Sequence, residues 1–348
     1  MMSEPSLSAV PVAPQAGTAL FAVAVFIALL LQTTGSVLDG SLATIAACVA
    51  LLVFGLPHGA SDIAVIFDDR PAGGLRWAFV LGAYLAVAGV MYALWRFSSA
   101  AALSLFLVAA VLHFSEDWRA SGLRLTAIAA AAALVGAPAL LHRPETSAIF
   151  VALTGDPTAA RLADGLNLLA PVAMALATLG FLLIWVAGRR AEAIGGAIAL
   201  VAMVLLPPVV GFTLFFCLSH SPAHLSVGLA HLRVRWGVRA GGIVAGLTLL
   251  ALGLAALIYI MPTTGSSPSL IYTSFVTLSV LTLPHLAAPS IVHGIDALFG
   301  IPKLAERRLD PLGGVQPGAG VHGAMFRVTD RVVGCIKTSE LITDGRRI

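Results

Sequence analysis

Residues 216–227 read FCLSHSPAHLSV. Two histidines, His220 and His224, stand four apart in a run whose flanks, from 208 to 232, are otherwise largely apolar. That spacing puts both imidazoles on one face of a helix, one turn apart. Pro222, between them, removes one backbone hydrogen bond and kinks or widens a helix. An ionisable group in hydrocarbon is costly and marks function by default. The reading of the fold therefore turns on whether the whole chain continues in this apolar manner.

It does. The chain has 348 residues, of which 59% are hydrophobic and only 11% charged, with a mean hydropathy of +0.97. Soluble domains carry about 25% charged residues. Apolar stretches recur from residue 18 to residue 298 with helical spacing, not with the alternation of a membrane barrel. The expected fold is all-α, a polytopic transmembrane helical bundle. Ten segments are marked: 18–36, 41–67, 76–97, 98–118, 123–141, 161–188, 191–206, 208–232, 241–261 and 269–298. The fifth and seventh are short, so the expected count is eight to ten. Residues 1–17 hold no Lys or Arg, unlike a secretory signal, and read as a disordered start. Residues 18–298 form the membrane domain. Residues 143–160 form the longest internal linker, with a short interfacial helix. Residues 299–348 read as a polar cytoplasmic tail.

The net charge is only +3. The arginines are scattered at segment ends with no basic stripe, which excludes a nucleic-acid surface. They act as topology signals. Arg70 and Arg76, Arg119 and Arg124, Arg189 and Arg190, Arg233, Arg235 and Arg239, then Lys303, Arg307 and Arg308 follow the even-numbered segments. The opposite loops around Asp39, Pro207–Pro208 and 262–268 have none, while Arg96, Arg143 and Arg161 are exceptions, the latter two diluted by Glu145 and Asp156. By the positive-inside rule both termini are cytoplasmic, in a cell inner (plasma) membrane. Cys48, Cys217 and Cys335 lie far apart with no CxxC, so neither a disulfide framework nor a zinc ribbon is expected. Cys48 and Cys217 read as small core residues.

On that topology the histidines fall into line. His58, His113, the pair His220 and His224, and His285 each lie somewhat past halfway along an even-numbered, inward-running segment. All five therefore share one depth, slightly cytoplasmic of the bilayer centre. Singly, each reads as an interhelical hydrogen bond worth about 1 kcal/mol; five together read as a metal site. Asp62 and Asp117 each follow a histidine by four residues. While the helices continue, they stand where a second-layer carboxylate takes the other ring N–H of a ligand histidine; alternatively Glu116 and Asp117 close the helix at the headgroups. Phe114, Phe215 and Phe216 stand nearby as candidate tunnel residues. An all-imidazole shell suits zinc, copper, iron or nickel, and the ligand set does not choose among them.

Four motifs, LPHGASD (56–62), LHFSEDW (112–118), CLSHSPAH (217–224) and LPHLAAP (283–289), resemble in this order the Brp/Blh family of bacterial and archaeal β-carotene 15,15′-dioxygenases. The resemblance spans about residues 20–298. It implies an enzyme using Fe(2+) and O2 to cleave β-carotene centrally into two retinal molecules. By position it implies His58, His113, His220 and His224 as iron ligands, with His285 beside them or on the substrate side. The N-terminal helix and the tail have no match in it. Two alternatives stand beside this reading. A di-iron desaturase needs about eight histidines and usually an HH pair, which the chain lacks. A histidine-lined ion or proton transporter favours internal repeats and broken helices, of which PHGASD and VHGID give only a faint echo. Oligomeric state is not indicated.

Reporter fusions at the N-terminus and after Arg308 are expected both to report cytoplasm; an odd number of spans between them would break the shared depth of the histidines.

Overall fold

The computed structural model describes residues 14–35, 38, 40–68, 74–121, 124–261 and 269–300, and among these it is helical with no strand. The expected start (1–17) and tail (299–348) lie almost wholly outside the described residues. The helices are α1 (Pro14–Thr33), α2 (Ser41–Ala50), α3 (Leu56–Asp68), α4 (Gly74–Phe97), α5 (Ser99–Phe114), α6 (Arg124–Gly136), α7 (Pro138–Leu141), α8 (Arg143–Thr154), α9 (Ala160–Val186), α10 (Arg190–Leu205), α11 (Pro208–Phe215), α12 (Ser221–Trp236), α13 (Arg239–Ile260) and α14 (Leu270–Leu298). Six helices among the described residues are long and apolar enough to cross a membrane: Ser41–Ile66, Gly74–Phe97, Ser99–Trp118, Pro157–Val186, Arg239–Ile260 and Leu270–Leu298. The eight to ten spans expected exceed the number meeting that test.

The short fifth and seventh segments are packing elements. In α6, Ala127, Ala129, Ala130, Ala131 and Ala133 are buried, and the helix lies against α5 and α9. In α10, Ala193, Gly196, Ala199 and Ala202 are buried. Small side chains let membrane helices approach closely; at 13 and 16 residues, α6 and α10 are shorter than the six long helices. The linker expected at 143–160 is largely α8, with Phe150 and Leu153 buried against α5, α9 and α14. Arg76, read as a loop charge, lies in the first turn of α4 at 2% exposure and is paired with Asp296 of α14. α4 starts at Gly74, so the arginine is carried into the bundle, where a buried charge persists only with a partner.

Two helices are locally widened. A π-type turn, Leu51–Gly55, joins α2 to α3, and another, Phe216–His220, joins α11 to α12. Each is followed two residues later by a proline, Pro57 or Pro222. A proline has no N–H to give, and its ring presses on the carbonyl four residues back, so the preceding turn opens. Carbonyls in and beside the first wide turn take donors from the facing helix. Cys217 Sγ reaches Ala50 O at 3.4 Å and Ser221 Oγ reaches Phe54 O at 2.8 Å. The approach is close because of two glycines. A Cβ on Gly55 would fall 2.6 Å from Phe216 Cε1, and one on Gly228 would fall 2.7 Å from Ser61 Oγ.

Gly228→Ala is expected to destabilise the protein by about 1–3 kcal/mol through overpacking, read as a lower thermal midpoint in detergent. Adding Ser61→Gly should recover most of the loss, because it removes the atoms that a new Cβ meets.

Candidate metal centre

The wide turns aim two of the histidine helices at each other. His58 stands one turn into α3, and His220 ends the second wide turn. His113 comes from the last turn of α5. All three are buried, at 7%, 2% and 1% exposure for His58, His113 and His220. One ring nitrogen from each lies within 4.8 Å of the other two, which is coordination reach.

Hydrogen bonds decide which nitrogen faces inward. His58 Nδ1–H donates to Gly55 O at 2.5 Å, so its Nε2 carries the free lone pair. His220 Nδ1–H donates to Asp117 Oδ2 at 2.8 Å, which leaves its Nε2 free in turn. That Nε2 faces His113 Nε2 at 2.9 Å. Two nitrogens bound to one ion at about 2.1 Å and at right angles stand about 3 Å apart, so the facing pair fits a shared first-row metal. His113 Nδ1 is buried with no hydrogen-bond partner among the described residues. Two of the three imidazoles, His58 and His220, are thus oriented from behind, as metal-binding histidines usually are.

The expected residues separate into two groups. His58, His113 and His220 come together. His224 lies one turn further, its ring 4.5 Å from that of His220 but 6.0 and 6.3 Å from those of His113 and His58. Its Nε2–H donates to Asp117 Oδ1 at 2.9 Å. Asp117, His220 and His224 form a second group within 4.8 Å of one another. His285 is half-buried, with its ring 4.6 Å from that of His113 and 6.0 Å from that of His58.

Asp117 corrects the sequence expectation. It does not back His113, four residues earlier, but binds the two histidines of the facing segment. From Ser115 to Ser121 the chain tightens to a 3-10 turn. At three residues per turn, Asp117 rotates off the face that His113 occupies. His58 Nδ1–H is taken by the Gly55 carbonyl; the Asp62 side chain lies outside the described residues. Sequence reasoning missed Gly55 and Ser221, and the signal that could have found them is the proline two residues after each wide turn.

Aromatic rings close the apolar side. Phe216 stacks on His220 at 5.3 Å and meets His58 edge-on at 5.2 Å. Phe114 meets His220 edge-on at 5.0 Å. Phe215 lies 6.0 Å from His220 and stacks on Trp118 at 6.4 Å. A narrow cleft of about 10 Å³, room for about one water, touches His113 between Phe106, Phe114, Phe212 and Phe216. His293 is exposed, and His322 lies outside the described residues.

A protein-family profile described as β-carotene 15,15′-dioxygenase matches residues 49–292, a stretch that contains every histidine of the centre. The chain belongs to the β-carotene 15,15′-dioxygenase family. Two curated relatives agree. The β-carotene 15,15′-dioxygenase of an uncultured marine bacterium, 66A03, is 27% identical over 260 residues, covering 68% of this chain and 90% of the relative. The probable β-carotene 15,15′-dioxygenase Blh of Halobacterium salinarum is 29% identical over 328 residues, covering 80% and 92%. No solved structure matches the chain. Family membership favours the enzyme reading over the transporter.

Asp117→Asn is expected to weaken metal retention by about 10–100-fold, since one carboxylate orients both His220 and His224. Competition with a chelator of known affinity measures it, and retention at the wild-type level would return Asp117 to a helix-end role.

Proposed function

We propose that this chain is a membrane-embedded non-haem iron dioxygenase that cleaves β-carotene at its central double bond. The C=C bond breaks, and each of its carbons takes one atom of O2 as an aldehyde oxygen, giving two retinal molecules. The observation that carries the proposal is the set of three buried ring nitrogens, His58, His113 and His220, within coordination reach in a chain of this family. Those three would hold Fe(2+). His224 would complete the shell through its remaining nitrogen, with Asp117 fixing both His220 and His224, and His285 would stand on the substrate side. Iron, when bound, would supply the centre at which O2 is activated.

The protein's own part is binding, orientation and exclusion. The rings of Phe114, Phe212 and Phe216 beside His113 would receive a polyene and keep water from the reacting carbons. A substrate this apolar is dissolved in the bilayer, so a buried site reached from lipid fits it better than one open to solvent. The cleft is too narrow for a polyene as it stands; admission would require the aromatic side chains to move. We place the enzyme in the cell inner membrane with both termini cytoplasmic, and retain ten spans as the topology consistent with the arginine pattern.

Cells that accumulate β-carotene are expected to lose their orange colour on expressing this chain and to gain retinal as the sole cleavage product. His58→Ala, His113→Ala and His220→Ala should each abolish the change at unchanged protein level. Persistent carotene with a protein that retains iron would overturn the substrate assignment.

Stripping the purified protein with a strong chelator should remove activity, and Fe(2+) should restore it where Zn(2+) does not. Full activity with zinc would overturn iron.

A further inference from the structure

Two prolines, Pro284 and Pro289, lie inside α14 on either side of His285. Neither has an N–H, so the helix lacks the bonds that would reach the carbonyls of Val280 and His285. His285 therefore sits where α14 is least held by its own backbone. Its ring is nonetheless set edge-on to two others, at 90° to His113 and 80° to His58.

Two buried polar contacts from α4 bracket that stretch. On the N-terminal side, Trp95 Nε1–H donates to Ser279 Oγ at 2.7 Å, and both residues are 1% exposed. On the C-terminal side, the Arg76 guanidinium holds Asp296 Oδ1 through Nε at 2.8 Å and Nη2 at 2.6 Å. Between the two, Val80 and Tyr84 of α4 pack with Ala288 and Ile295 of α14. Ser279 and Asp296 are separated by about 25 Å of helix, and Arg76 and Trp95 by about 28 Å, at 1.5 Å per residue. α4 has no internal proline. A continuous helix is thus fastened on both sides of an interrupted one.

We infer that α4 is a splint for α14, and that Trp95 and Arg76 are positioning residues that hold His285 against the histidine cluster. The inference rests on the proposed function only for its catalytic meaning; the placement of His285 is tested without turnover. In a Cys217→Ser, Cys335→Ser background, His285→Cys supplies a thiol whose reaction with a membrane-permeant maleimide is timed; a serine at 217 can still donate to the Ala50 carbonyl. Cys48, fully buried and bonded through its carbonyl to Ser274 of α14, is the internal control.

Adding Asp296→Asn, Ser279→Ala or Trp95→Phe should speed labelling at position 285 about 10-fold and leave Cys48 unchanged. Trp95→Phe keeps most of the volume, so it remains informative if the charge variant fails to fold. With His285 intact, the same three substitutions should turn a single retinal product into a mixture of unequal apocarotenals at near-normal iron content. Unchanged labelling at 285, or equal acceleration at Cys48, would overturn the splint. Selective labelling with no carotenoid cleavage by the wild type would instead uphold the splint and overturn the proposed function.

Discussion

A bilayer interior offers no water, so a polar group there is satisfied by the protein or left unsatisfied at a cost of several kcal/mol. That constraint organises this molecule most visibly where α3 crosses α12. The wide turn before α3 and the residue just ahead of it present carbonyls to side-chain donors: Cys217 takes that of Ala50, Ser221 that of Phe54 and His58 that of Gly55. His58 is fastened by its own side of that crossing and His220 belongs to the other, so the geometry that satisfies the backbone also sets the distance between two candidate ligands.

The three central histidines are not held alike. His58 is held by a backbone carbonyl, His220 by a carboxylate, and His113 by neither among the described residues, since its Nδ1 has no partner. Asp117 is shared: one oxygen for His220, the other for His224. A single carboxylate thus serves the HxxxH pair as a unit, so substitutions of His224 and Asp117 should not act independently. Its negative charge would also partly balance a divalent ion held by imidazoles, which bring no charge of their own.

Much of this was legible in the sequence because membrane helices obey simple rules. Hydropathy and the arginine loops placed His58, His113, His220, His224 and His285 at one depth, and the structure brings their rings near one another. Four short motifs were enough to suggest the family. What stayed hidden depended on local departures from 3.6-residue periodicity. The 3-10 turn at 115–121 moved Asp117 to the facing segment, and the first π-type turn offers acceptors to which only Pro57, two residues on, gives a clue. Arg76 was misread for a related reason: a charge near a helix start looks alike whether it faces water or a buried aspartate 220 residues away.

The crossing of α3 and α12 also has a place in time. Cys217 and Ser221 are each 167 residues further along the chain than the carbonyls they satisfy. At a synthesis rate of about 5–20 residues per second, their partners are made roughly 8–33 s earlier. The segment carrying His58 therefore enters the membrane alone. Its Gly55 carbonyl can be met at once by His58, but those of Ala50 and Phe54 must wait. Pro57 is made with that segment, so the wide turn is in place before Cys217 and Ser221 exist. The centre is thus assembled by docking a later helix onto a turn prepared in advance.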